Sequence, residues 1–313
     1  MKCTYSALLS SLGDVRMMRR LALVGFVLLT ISPWQAGAVP TGDMTMMSFN
    51  VRMGCGLKDP FKLPEGGLGY LPQCAKVIKS LNPDWVAIQE IDRCSRRAGH
   101  VDQTAALAKM CGMHGTFVKK TPEKDGDYGL AILSKEKPLN VSKILMPGRA
   151  HTRCVEILEF RDYFVACTHF PLTDQLCEIA ADIVRLNLAD REKPVFLAGD
   201  LNSKPDTKAI AILKKGFTIL SDVTQNTFPA DKPSCCIDYI MVDTKHADKV
   251  EVVSRKVIAA LEATDHCALV VRVGSGGWWA EGARDASPCL MNANLWYNTQ
   301  HQNTPKKLQR KKR

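Results

Sequence analysis

Asp200 and Asn202 stand two residues apart behind the apolar run Val195-Phe196-Leu197-Ala198 and its Gly199. In extended backbone, positions i and i+2 share a face, so a carboxylate and a carboxamide project together from one strand end. A carboxylate placed there can hold a divalent cation or take a proton from water. The same pattern recurs along the chain. Asn50 follows Met44–Phe49, Glu90 follows Trp85–Ile88, and His169 follows Tyr163–Cys167. Asp238 opens Ile237–Val242, and Asp265-His266 precede Cys267–Val273. Singly, each is an ordinary polar strand end or turn residue. Converging, they make a pocket of carboxylates that resist ionising together unless a cation sits among them. Oxygen donors without a thiolate cluster suit Mg²⁺, Mn²⁺ or Ca²⁺ better than zinc. Hydrolysis of a phosphate ester is the chemistry such a site performs. The metal offsets developing charge and a carboxylate orients the attacking water.

The elements that must position these groups are short buried strands alternating with amphipathic helices. Pro194 and Ser203-Lys204-Pro205 bound the strand at 195, and Gly199 is expected to let the chain turn before Asp200. Leu71, Ala75, Ile78 and Leu81 lie at helical spacing and stop at Asn82-Pro83-Asp84. Asp102 caps a helix through Ala105, Leu107 and Met110 that ends at Gly112. Phe117 begins a short strand, Leu130–Leu133 is another, and Arg161-Asp162 joins the two arms of a hairpin. Residues 174–190 are amphipathic, with Leu176, Ile179, Ile183 and Leu186 as the inward stripe. Asp206 caps a further helix carrying Ile210 and Leu213, and residues 250–257 read as a strand. Loops 54–69, 119–128 and 221–236 are expected to set the substrate.

The six pieces Ser-Phe-Asn50-Val-Arg, Ile-Gln-Glu90, Thr-His169, Gly-Asp200-Leu-Asn202, Ile-Asp238-Tyr and Thr-Asp265-His266 occur in this order between about residues 44 and 273. Together they resemble the endonuclease/exonuclease/phosphatase superfamily. That group includes pancreatic deoxyribonuclease, abasic-site endonucleases, neutral sphingomyelinases and inositol polyphosphate 5-phosphatases. The resemblance implies a four-layer α/β sandwich, two packed mixed β-sheets flanked by helices. It implies Mg²⁺ (or Mn²⁺) held by Glu90 with Asn50 and Asp265. It gives Asp200 the attacking water, Asn202 a water or phosphate oxygen, and His266 the scissile phosphate, with Asp238 fixing the imidazole. Either Asp200 or His266 is the general base. His169 resembles the deoxyribonuclease and sphingomyelinase branch, in which a His stands on the leaving-group side. That branch orients its His with a Glu near Asp127-Tyr128, and no Glu stands there in this chain. The implied function is hydrolysis of a phosphodiester in the manner of a nuclease. A lipid- or inositol-phosphate hydrolase is the alternative, and a catalytically silent binding module would not need so complete a set.

The net charge of +10 is concentrated at the ends: residues 1–39 carry +3, residues 274–313 carry +5, and +2 remains for the body. That near-neutral body argues against a tight nucleic-acid binder, which must neutralise several phosphates. Residues 1–38 read as a secretory leader: Met17-Met18-Arg19-Arg20, an apolar stretch from Leu21 to Ile31, and Ala36-Gly37-Ala38 before the cleavage point. The chain is therefore expected to be secreted or periplasmic, with a catalytic body over 39–273 and a disordered basic tail over 274–313. No apolar run is long enough for a stable membrane span, and the protein is read as a monomer acting on nucleic acid, phospholipid or inositol phosphate. The 12 cysteines match no zinc spacing and read as small buried hydrophobes, with one or two disulfides permitted by export.

Overall fold

The structure, a computed structural model, describes residues 42–57, 68–123, 125–148 and 152–274. The leader, the tail from residue 275 and most of loop 54–69 lie outside them.

Twelve strands form two six-stranded sheets. The first has the order β11-β12-β1-β2-β4-β3, built from β11 (Glu251–Ala259), β12 (Cys267–Gly274), β1 (Met44–Asn50), β2 (Trp85–Arg93), β4 (Gly126–Ser134) and β3 (His114–Glu123). The second has the order β5-β6-β7-β8-β10-β9, from β5 (Asn140–Met146), β6 (Arg153–Glu159), β7 (Phe164–His169), β8 (Val195–Asp200), β10 (Asp238–Asp243) and β9 (Phe217–Ile219). Each sheet has one parallel pair at its centre, β1 with β2 and β7 with β8, and antiparallel neighbours elsewhere. The strand carrying Arg161-Asp162 at its end does turn back as a hairpin between β6 and β7.

Three apolar layers account for the stacking. Met46, Trp85 and Ile132 of the first sheet meet Val165, Phe196 and Ile240 of the second in one core cluster. Helices α1 (Leu71–Leu81) and α2 (Gln103–Cys111) cover the outer face of the first sheet, through Leu71, Ile78 and Leu107. Helices α3 (Asp174–Leu188) and α4 (Lys208–Leu213) cover the second, through Val184, Ile210 and Leu213. The result is the expected four-layer α/β sandwich of two packed mixed sheets between helices. Among the described residues, no helix is long and apolar enough to cross a membrane.

Several local expectations need correction. The inward stripe of α3 is Cys177, Ala180, Ala181, Val184 and Leu188, while Ile179 and Leu186 face solvent. Both stripes fit a helical repeat; the one with small side chains wins because it lets the helix approach the sheet closely. Thr207, not Asp206, precedes α4, whereas Asp102 does cap α2 by accepting from the Ala105 N–H at 2.9 Å. Strands β5 and β9 had no signal in the sequence: β5 is an exposed edge without alternation, and β9 has three residues. Residues 119–128 are two paired strands rather than a loop, and Gly274 closes β12 instead of opening the tail. The ten described cysteines are all free thiols. Seven of them are buried, in line with their reading as small hydrophobes.

Gly199 does not break β8, which runs through it to Asp200. Its φ is +155°, and a Cβ there would run into the carbonyl oxygen of Thr168 on the parallel neighbour β7. The glycine allows two backbones to come together one residue before the polar strand ends.

Candidate active site

The cleft lies at one end of the sandwich, where β1, β2, β7, β8, β10 and the approach to β12 deliver polar groups into one place. Asp200 is its hub. One carboxylate oxygen, Oδ1, accepts from the backbone N–H of Asn202 at 2.9 Å. The other, Oδ2, accepts from Asn50 Nδ2 at 3.2 Å. The same Oδ2 lies 3.6 Å from His169 Nε2 and 3.7 Å from His266 Nε2. Two histidines, one ending β7 and one just before β12, thus flank one carboxylate oxygen. The register of β7 on β8, which sets His169 opposite Asp200, and of β10 on β8, which sets Asp238 opposite Asp200, explains the convergence.

His266 is oriented from behind. Its Nδ1 sits 3.1 Å from Asp238 Oδ2, and the Thr227 hydroxyl donates to that same Asp238 oxygen at 2.6 Å. Phe228 packs against the imidazole with ring centroids 4.7 Å apart. Burial alone would lower the His266 pKa, but the Asp238 carboxylate, helped by Asp200 and Asp265, raises it to about 10. The imidazole is therefore held as a cation that donates from Nδ1 to Asp238 and presents Nε2–H to the cleft. Burial pushes the Asp200 pKa up to about 7, with the Asp238 and Glu90 charges adding and the His266 cation opposing.

Glu90 departs from its expected place at a strand end. Strand β2 continues to Arg93, and Glu90 occupies a bulge between Gln89 and Ile91 with φ of 56°. The bulge re-aims one side chain without ending the strand. It brings Glu90 Oε1 to 4.0 Å from His169 Nε2. Asn202 is also in left-handed backbone, at φ 46°, held by its Nδ2 donating to the Phe170 carbonyl at 3.0 Å.

Asp265 stands apart from the others. Its Oδ2 is ion-paired with Arg52 Nε at 3.1 Å, and Arg52 in turn donates to the carbonyls of Gly56 and Leu57 at 2.9 Å. The preceding Thr264 hydroxyl donates to the Asn50 carbonyl at 2.9 Å, tying this segment to β1. Asp265 so locks the rim beside the site, and its carboxylate is not among the groups gathered around Asp200.

His169 has no orienting carboxylate at Nδ1 among the described residues. Asp127 is taken by Arg93 Nη2 at 2.6 Å and Lys119 Nζ at 2.7 Å, and His169 Nδ1 is buried without a partner. Burial, reinforced by Lys120, Arg153 and His266, holds the His169 pKa well below its usual value.

A divalent cation suits this donor set. Asp200 and Asp238 each offer a carboxylate oxygen within 4.8 Å of the other, and Glu90 and Asn50 add hard oxygens from the facing sheet. The raised Asp200 pKa is the mark of negative charges crowded out of water, which a cation relieves. Of the expected metal ligands, Glu90 and Asn50 lie beside Asp200, and Asp265 lies next to His266, ion-paired with Arg52.

Sequence reasoning missed Arg52, Thr227, Lys120, Tyr128 and Arg153. Lys120 was legible in principle: counted by twos from Thr116 and Val118, it falls on the cleft face of β3. The strand was expected to begin at Phe117 and was not followed that far.

A two-sheet sandwich with carboxylates, amides and two histidines converging at one end defines the class of metal-assisted phosphate-ester hydrolases. Residues 47–266 match the Endonuclease/Exonuclease/phosphatase family, and the chain belongs to it. No curated protein matches by sequence. Among solved structures, the fold is similar to an endonuclease/exonuclease/phosphatase from Beutenbergia cavernae DSM 12333, with 19% identity, TM-score 0.57, and 76% of this chain and 72% of that one covered. The human Nocturnin catalytic domain with bound sulfate anion is 18% identical, with TM-score 0.54 over 76% of this chain and 95% of that one. A Bacteroides thetaiotaomicron VPI-5482 mannosyl-6-phosphatase is 16% identical, with TM-score 0.53 over 74% and 99%.

Proposed function

We propose that the chain is a divalent-metal-dependent hydrolase that cleaves phosphate esters with Asp200 as the base. The observation that carries this reading is Asp200 Oδ2 lying 3.6 Å and 3.7 Å from the two imidazoles, with Asn50 donating to it at 3.2 Å. Glu90 and Asn50 would hold the metal, Mg²⁺ or Mn²⁺, beside the Asp200 carboxylate. When bound, it neutralises charge developing on the phosphoryl oxygens. Asp200 takes a proton from water as the new P–O bond forms and the ester P–O bond breaks. Asn50 and the Asn202 N–H fix the carboxylate for that task. His266, held cationic by Asp238 and Thr227, donates Nε2–H to a phosphoryl oxygen as its charge grows. His169, kept neutral, hydrogen-bonds to the leaving oxygen rather than delivering a proton, and solvent water protonates the departing alkoxide.

The diesterase reading rests on the likeness of Thr-His169 to the deoxyribonuclease and sphingomyelinase branch. Hydrolysis of a small phosphorylated molecule is favoured instead by two basic groups beside His169, the buried Lys120 and the half-buried Arg153, taken up below. We further propose that the protein is exported as a monomer, on the strength of the leader pattern at 17–38. Burial holds the Cys55, Cys74, Cys154 and Cys167 thiols well above their usual pKa, so they stay protonated and unreactive in an oxidising compartment. The test is a screen of purified protein with Mg²⁺ or Mn²⁺ against plasmid DNA, RNA, sphingomyelin, phosphorylated sugars and polyols, and bis-p-nitrophenyl phosphate. Metal-dependent turnover of at least one, lost in Asp200→Asn, is expected. Turnover that survives that substitution would overturn the assignment.

A further inference from the structure

Beside His169, on β3, β4 and β6, lie basic groups buried next to the acidic centre. Lys120, on β3, is only 4% exposed. Its ammonium lies over the Tyr128 ring at 4.2 Å, and Nζ has no hydrogen-bond acceptor. Arg153, at the start of β6, likewise has a buried guanidinium nitrogen, Nη1, without a partner. His169 Nδ1 is the third unpartnered nitrogen of this corner. The three are close enough to act on each other: Arg153 opposes the charge on Lys120, and both oppose a charge on His169.

Structure alone gives no reason to keep two cations together here. Burial and the neighbouring Arg153 lower the Lys120 pKa to about 7, so a charged lysine here is unfavourable unless something negative joins it. The carboxylates that act on Lys120, Glu90 and Asp200, belong to the reacting centre. By contrast, the neighbouring Lys119 is open to solvent and paired with Asp127. A tyrosine face, an ammonium and a guanidinium fork, all short of acceptors, match a phosphate with several free oxygens.

We propose that Lys120 and Arg153 form an anion subsite beside His169 that receives a second phosphate group of the substrate, carried on the fragment that leaves. The subsite rests on the phosphate-ester reading of the adjoining centre. It narrows the substrate to small molecules bearing two phosphates. An extended polynucleotide reaches open grooves lined by exposed cations, whereas Lys120 lies too deep for a backbone to pass and suits a compact terminal phosphate. The near-neutral body, at +2 outside the two ends, agrees with a small ligand.

The experiment compares adenosine 3′,5′-bisphosphate with adenosine 5′-monophosphate as probes of the full chain in Mg²⁺. Two readouts are taken: competition with bis-p-nitrophenyl phosphate hydrolysis, and ligand-induced rise in melting temperature, which needs no turnover. The bisphosphate is expected to bind about tenfold or more tighter than the monophosphate. Lys120→Met and Arg153→Gln should each shrink that ratio to about threefold or less, and Lys119→Met should leave it intact. Two variants guard against one failing to fold. Equal binding of the two probes by the wild type, or a ratio unchanged in both variants, overturns the subsite. A short oligonucleotide showing the same dependence on Lys120 and Arg153 overturns the restriction to compact substrates. If no ester is hydrolysed yet the melting-temperature pattern holds, the catalytic reading fails and the subsite stands.

Discussion

Glu156 lies in the middle of β6, facing the space between the sheets, and is fully buried. Its Oε1 accepts from the Thr116 hydroxyl at 2.6 Å, and Oε2 has no partner. Burial pushes its pKa from 4.5 up to about 8, against a small opposing pull from the Thr116 hydrogen bond. The folded protein therefore keeps this carboxyl protonated at neutral pH, whereas the unfolded chain ionises it. Between those two pKa values the folded state binds the extra proton, so stability falls as pH rises from about 4.5 to about 8 and is flat above. At about 1.4 kcal/mol per pKa unit, raising the pH from 5 to 8 should remove about 3–4 kcal/mol through this one group. Glu156→Gln keeps the acceptor for Thr116 and cannot ionise. Its extra N–H donors are buried without partners, a penalty of about 1–3 kcal/mol that does not vary with pH. The slope, not the absolute stability, is thus the readout. Urea unfolding of wild type and variant from pH 5 to 8 should show the variant gaining about 3–4 kcal/mol on the wild type across that range. Curves that run parallel would refute the placement of an un-ionised carboxyl in the inter-sheet core.

The centre makes sharper demands. Asp200→Asn should reduce turnover by about 10²–10⁴-fold with the fold retained, checked by kcat alongside circular dichroism; a loss below tenfold would remove it as the base. Glu90→Gln should raise the Mg²⁺ concentration giving half-maximal activity by about 10–100-fold; an unchanged metal titration refutes its ligand role. Asp238→Asn should cost His266 its main charge partner and move the basic limb of the pH–rate profile to lower pH, since the folded-state pKa of about 10 owes its rise first to that carboxylate. Gly199→Ala should destabilise by about 3 kcal/mol or more, read from the urea midpoint, because its Cβ would strike the Thr168 carbonyl.

How much of this could be read from residues alone follows from the range of each signal. Strand cores such as Val195–Ala198 and Trp85–Ile88 announced themselves, because burial on both faces demands continuous apolar runs. The polar groups beside them were legible for the same reason: a carboxylate bordering such a run lies at the edge of the core. Hidden were features decided by partners distant in sequence. The bulge at Glu90 depends on pairing with β4. The ion pair of Asp265 with Arg52, 213 positions upstream, had no signal in the sequence. Residues of α3 offered two stripes, and only the sheet beneath them decides between bulky and small. β5 carries no alternation at all and is a strand because β6 supplies the hydrogen bonds.

The distribution of charge explains why the site sits where it does. Apart from groups such as the un-ionised Glu156, interior positions of both sheets are mostly apolar, so ionised groups gather where the strands end. There the fold sets a negative cluster, Glu90, Asp200 and Asp238, against a positive one, Lys120, Arg153 and the His266 cation. His266 is paired directly with Asp238, but Lys120 reaches no carboxylate within hydrogen-bond distance. A bound metal would complete the first and a bound phosphate the second. The resting protein thus carries its electrostatic cost in the two places where ligands of opposite sign would relieve it. Removing either ligand class should lower stability as well as activity, and the apo protein should melt below the protein saturated with both.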